Sequence, residues 1–147
     1  MASFTYERQV AAPPEIVFDV ITDHRRYPEM TSVRKATIER EGDPAPNGLG
    51  AIRSFTLAGP PMREEIITFE RPHRYSYTIL SGLPVRNHVG TVELTAQDGG
   101  TKIVYAIHTT PTLPVGNFAI VLGLKRGVKT LLSGVAKESE RRAADAR

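Results

Sequence analysis

Up to Pro111 the apolar residues of this chain tend to recur at every second position; beyond it they recur at three and four. The first spacing puts alternate side chains on opposite faces of a strand, and the second lines one side of a helix. Residues 3–11 set Phe4, Tyr6 and Val10 against Thr5, Glu7 and Gln9 and predict a strand. Pro13-Pro14-Glu15 opens a helix, because proline suits its first turn and an acid its positive end. Ile16, Val17, Val20 and Ile21 form the helix's apolar stripe, with Phe18 to one side. Asp23 is the expected cap of a second short helix over residues 24–27, which Pro28 ends. Six more strands follow at 33–41, 50–58, 63–70, 74–81, 86–96 and 101–110, broken by GDPAPNG, GPP, RPH, SGLP and QDGG. Asp98-Gly99-Gly100 is the strongest hairpin signal. Connections this short predict an antiparallel meander.

Residues 115–144 contain no proline and predict one long closing helix. On it Ile120, Val121, Leu124, Val128, Leu131, Leu132 and Val135 share an arc of about 120°, with Lys125, Arg126, Lys129, Ser133 and Lys137 on or near the far side. Gly116, Gly123, Gly127 and Gly134 fall on one line beside that arc. Each glycine inside a helix costs about 0.8–1 kcal/mol relative to alanine, so the stripe needs a reason. Two are open: an element packed close to the helix backbone, or a helix thinned to line a cavity. The apolar run 118–124 is far short of the ~20 residues that cross a bilayer, so no stable membrane insertion is expected. The order of elements predicts an α+β fold: about seven antiparallel strands in a curved sheet around the C-terminal helix, with two short helices between strands 1 and 2. The twist of such a sheet curls it, and the concave face is the natural seat for the helix.

Composition narrows the function. The chain has 147 residues, enough for one domain spanning 1–147, with ordinary apolar (40%) and charged (24%) content. There are no cysteines, which excludes disulfides, thiol catalysis and cysteine-held metal. No two histidines stand at metal-ligand spacing with a carboxylate, so neither metal nor cofactor is predicted. The net charge of +3 comes without a basic stripe interleaved with aromatics, so nucleic acid is not an expected partner. The N-terminus lacks an apolar signal core, and the expected location is cytoplasmic. The sequence contains no nucleophile elbow, P-loop or dinucleotide fingerprint and leaves oligomeric state open.

VAAPPEIVFDVITDHRRYP at residues 10–28, FERPHRYSYTI at 69–79, DGGTKIVY at 98–105 and the position of the closing helix resemble the START-like (SRPBCC) superfamily. That group has the helix-grip fold and includes polyketide cyclases and dehydratases and lipid-transfer domains. The resemblance implies a deep apolar cavity between helix and sheet. It brings no universal catalytic residue, and no catalytic role is transferred.

Strand alternation selects the side chains that would face this cavity. Tyr75, Tyr77 and Ile79 share one face of their strand, as do His88, Gly90, Val92 and Leu94 of the next, and Ile103, Tyr105 and Ile107 of the last. The faces of 50–58 and 63–70 stay open: Phe55 and Leu57 would bring Arg53 inward, while Ile67 and Phe69 would bring Arg63 and Glu65. Charges meeting across that hairpin would form a pair rather than a site. The expected ligand contacts are Arg53, Tyr75, Tyr77, His88, Val92, Leu94, Ile103, Tyr105 and Ile107 from the sheet. Ile120, Gly123, Leu124, Gly127, Val128 and Leu131 join them from the helix. Such a lining suits a small hydrophobic molecule bearing a few oxygens, a lipid, sterol or polyketide. His88 is the one acid–base candidate, with a satisfied core histidine as the alternative; His24, His73 and His108 are expected to be solvated. Three functions fit: a carrier or sensor, a cyclase or dehydratase, or an interaction module with a vestigial cavity. The run 118–124 and loop 82–85, each near Gly and Pro, are candidates for a gate.

Overall fold

The computed structural model describes residues 1–57 and 59–147. It contains, in order, β1 (Ala2–Val10), α1 (Pro14–Ile21), a 3-10 turn (His24–Arg26), α2 (Tyr27–Met30), β2 (Lys35–Arg40) and β3 (Ile52–Thr56). β4 (Met62–Glu70), β5 (Arg74–Ser81), β6 (Val85–Gln97), β7 (Gly100–Pro111) and α3 (Asn117–Asp145) complete it. The seven strands form one antiparallel sheet in the order β1-β7-β6-β5-β4-β3-β2. Strands β2–β7 form the expected antiparallel meander, and β1 joins it against β7.

Local chemistry accounts for the turns. Pro13 caps α1 and Pro14 occupies its first turn. Asp98 and Gly99 both take positive φ, 52° and 77°, as a two-residue hairpin turn requires. Gly116 has φ +81°, so it precedes α3 as its cap instead of lying within it; the helix starts two residues later than residue 115. Pro28 sits in the first turn of α2 and so begins a helix, where the sequence pattern had it ending one, and Asp23 makes no side-chain cap. The strand expected over 50–58 is shorter at both ends, and its last residue, Ala58, lies outside the described residues.

The faces of β3 and β4 are settled by pairing. Arg53 and Phe55 of β3 point inward with Glu64 and Ile66 of β4. Arg63 and Glu65, inward on one of the two alternatives left open, face outward and bind Glu39 and Arg40 respectively. The register shifts between Ile66 and Thr68, so Ile67 is expelled to solvent while Phe69 returns to the core against Phe18. A bulge adds one residue to a strand and reverses the alternation beyond it.

Helix α3 lies beside α1 and β1, and it is buried only in its second half. Val128, Leu131, Leu132, Val135, Ala136, Ser139 and Ala143 are buried; no residue before Val128 is. Burial of each large apolar side chain stabilises by roughly 1.5–3 kcal/mol, which anchors this half. The Glu140 carboxylate also accepts from the Ala11 N–H at 2.9 Å. The first half stands away from the sheet. The glycines divide accordingly: a Cβ on Gly134 would lie 2.1 Å from the Met30 carbonyl oxygen, whereas one on Gly123 or Gly127 would meet nothing within 4 Å. Close packing and cavity lining are both realised on one stripe.

Candidate functional site

The space under the first half of α3 is a partly open cavity of about 340 Å³, with Leu57, Leu83 and Ala119 in its lining at the end where α3 begins. Its roof is Ala119, Ile120, Gly123, Leu124, Gly127, Val128 and Leu131, and its floor is the inner face of β3–β7. Of the expected contacts, Arg53, Tyr77, His88, Tyr105, Ile107 and all six helix positions line it. Tyr75, Val92, Leu94 and Ile103 do not. They point inward and are buried, but further along their strands they meet α1 and the second half of α3, so they serve the core. Tyr75, for example, packs edge-on against Phe18 at 6.0 Å.

Tyr77 and Tyr105 form the polar centre of the floor. Tyr77 pairs with Gly90 across β5 and β6, and its ring lies where a Gly90 side chain would be, 2.3 Å from the ideal Cβ. The two phenol oxygens are 2.5 Å apart. One donates to the other, which leaves a single O–H proton to be directed elsewhere. Burial pushes both phenols well above the ordinary tyrosine value, so they stay neutral donors.

His88 stands beside them, its ring centroid 5.9 Å from that of Tyr77. His88 keeps the inward parity of Gly90, Val92 and Leu94, next to a shift of register between Arg86 and Val89 with Asn87 at φ +50°. Its Nδ1 is 2.9 Å from the Thr109 hydroxyl, and its buried Nε2 has no protein partner. Burial lowers its pKa to about 4 and keeps the ring neutral.

A second polar group closes the far wall. Arg53 binds Glu64 through Nη2 at 2.7 Å and Nε at 3.0 Å, with both side chains almost wholly buried. The guanidinium carbon lies 5.0 Å from the Tyr77 ring centroid and 5.6 Å from that of Phe55, and Nη1 contacts the His24 ring. Burial opposes the Arg53 charge, but the Glu64 carboxylate outweighs it and holds the guanidinium protonated. Burial raises the Glu64 pKa against the pull of Arg53. The floor therefore carries one cation, one anion and several neutral donors, with no net charge.

His24, expected in solvent, is buried between Tyr27, Phe55 and Arg53. Burial and then the Arg53 charge drive its pKa well down. A lone histidine in a polar turn carries no periodic signal that would place it inside. His73 and His108 are exposed, as expected. Sequence reasoning also missed Tyr27, which stacks on Phe55 at 5.2 Å and donates to the Ile21 carbonyl. Glu64 and Met62 were missed through the undecided face of β4, and Thr31–Val33 through their place in a connection.

A curved seven-stranded sheet gripping a long C-terminal helix over an apolar cavity defines a helix-grip protein. Residues 1–140 match the family model described as polyketide cyclase / dehydrase and lipid transport, and the chain belongs to that family. Among curated proteins none matches. Solved structures agree in fold. The di-domain ARO/CYC StfQ of the steffimycin biosynthetic pathway superposes with a TM-score of 0.78 at 15% identity, over 97% of this chain and 51% of that one. XoxI from Bacillus cereus gives 0.75 at 15% identity, covering 95% and 96%. Ara h 8.0201 gives 0.74 at 20% identity, covering 94% and 97%. No helix among the described residues is long and apolar enough to cross a membrane.

Proposed function

We propose that the protein binds and carries a small, uncharged hydrophobic molecule with one or two oxygens, held under the first half of α3. The observation that carries this reading is the buried, unpartnered Nε2 of His88 beside the Tyr77–Tyr105 hydroxyl pair, in a cavity whose surface is mostly apolar. An isolated polar atom in such a place gains most from a ligand hydroxyl or carbonyl. The absence of net charge on the floor favours a neutral ligand over an acid. The residues proposed to make contact are Arg53, Tyr77, His88, Tyr105 and Ile107 with Ile120, Gly123, Leu124, Gly127, Val128 and Leu131.

Turnover of a polyketide-like substrate is the second reading, with His88 as acid–base group and the phenol pair polarising a carbonyl. The similarity in fold to StfQ, an ARO/CYC of the steffimycin biosynthetic pathway, supports it. A histidine held near pKa 4 is a weak base at neutral pH, which favours the carrier. In a cyclase, His88→Ala would lower turnover about 10²-fold; an unchanged rate removes His88 from the mechanism.

The carrier reading is tested by titrating the fluorescent neutral amine N-phenyl-1-naphthylamine into the wild type and into Gly123→Leu/Gly127→Leu. A Cβ at either position meets nothing within 4 Å, so the leucines extend into the cavity and binding should fall at least tenfold while the fold persists. Equal binding by both proteins overturns the proposal. Native mass spectrometry of protein purified from its own host then identifies the natural occupant by mass.

A further inference from the structure

We propose that the open end of the cavity is a docking surface for an anionic lipid membrane. The antiparallel register brings the start of β1, β2, β4, β6 and α3 to the same end of the molecule as the end of β3, β5 and β7. Two properties meet there. Large apolar side chains project into solvent: Val115 is 82% exposed and Phe118 78%, with Leu57, Leu80, Leu113 and Leu122 also exposed around the same rim. Behind them stand Arg34, Lys35, Arg86, Lys125 and Arg126, none ion-paired among the described residues.

No surface carboxylate balances these cations. The chain has no Asp or Glu from residue 71 to 92, from 99 to 137, from 31 to 38 or from 56 to 63. Those segments build the rim, so the 16 acids of the protein lie elsewhere or, like Glu64, are buried. A net charge of only +3 thus conceals, at one end, five cations without an ion-pair partner among the described residues, beside the Arg63–Glu39 pair.

The layering favours a bilayer over an acidic protein. The apolar tips come from two connections, the end of β5 and the start of α3, so they project from separate elements, where a protein partner would meet one contiguous apolar core. Lys125 and Arg126 follow Phe118 by about two helical turns, roughly 10–12 Å along the axis. An apolar tip sinks roughly 5–10 Å into a bilayer, which sets those cations at the depth of the lipid phosphates. Docked in this way, the cavity mouth between Leu57, Leu83 and Ala119 opens onto the acyl region.

The test is flotation of the full chain with vesicles of phosphatidylcholine alone and of phosphatidylcholine with about one third phosphatidylglycerol. The chain should float with the anionic vesicles only and be released by raised salt. Val115→Ser/Phe118→Ser and Arg86→Glu/Arg126→Glu should each weaken binding about tenfold or more, with unchanged circular dichroism. Arg74→Glu, at the opposite end of β5, should leave it unaltered. No flotation, as expected if the rim receives an acidic protein, overturns the proposal. So does equal flotation with both lipids, or an Arg74→Glu loss as large as that of the rim variants.

Discussion

Arg53 and Glu64 meet across β3 and β4 at 2.7 Å, deep in the wall of the cavity and almost wholly out of solvent. Neighbours on adjacent strands bring them together, and aromatic rings on three sides keep water away. Removing one member of such a pair leaves the other charged and unpartnered, which costs about 3–5 kcal/mol. Glu64→Leu should therefore lose that much stability in urea denaturation. Arg53→Met/Glu64→Leu should recover to within about 1–2 kcal/mol of the wild type. A single mutant as stable as the parent would show that the guanidinium is not held by Glu64.

The glycines of α3 should respond oppositely to the same substitution. Gly127→Ala adds a methyl group to open space and gains the helix propensity of alanine, about 0.8–1 kcal/mol. Gly134→Ala drives a Cβ to 2.1 Å from the Met30 carbonyl oxygen, so α2 must shift and stability should fall by about 1–3 kcal/mol. Thermal denaturation of the two variants measures the contrast, and shifts of the same sign would contradict it.

Gly90 is required by Tyr77, whose ring fills the site of its missing side chain. Gly90→Ala should displace that ring and separate the two phenols, destabilising the fold by about 1–3 kcal/mol. It should also weaken N-phenyl-1-naphthylamine binding. Retention of both stability and binding would mean that Tyr77 has another place to go.

Acid should destabilise the protein through its histidines. The His88 ring is neutral in the fold down to about pH 4, while the unfolded chain takes up a proton near 6.5. Between those values the unfolded state binds more protons, so the stability contributed by the neutral ring is complete above 6.5 and is lost as pH falls towards 4. Each unit in that window removes up to about 1.4 kcal/mol. His24 acts in the same direction, from burial and the Arg53 charge. Urea midpoints at pH 7.5 and 4.5 should draw together in His88→Gln, because that side chain does not titrate. An unchanged pH dependence would place the acid sensitivity elsewhere.

Strand alternation and the glycine stripe carried most of the architecture because both are local. Side-chain period is set by backbone geometry, so the inward faces of β5, β6 and β7 follow from Tyr75, His88 and Tyr105 without any knowledge of neighbours. The same reasoning leaves β4 open, because a single extra residue at Ile67 reverses the faces and puts Glu64, not Glu65, inside. Nothing in the composition of residues 63–70 marks that bulge; it arises from pairing with β5.

The sequence by itself determined the element order, the curled antiparallel sheet and a helix bare enough to spare room beneath it. Tertiary structure alone decided how far that room extends. It closes where α1 and the second half of α3 press on Tyr75, Val92, Leu94 and Ile103, and it opens where the first half stands off. It also decided that His24 lies against Arg53, and that the cations of three separated segments, 34–35, 86 and 125–126, share one end of the sheet. Distance between residues remote along the chain is a property of the folded path, which no local pattern encodes.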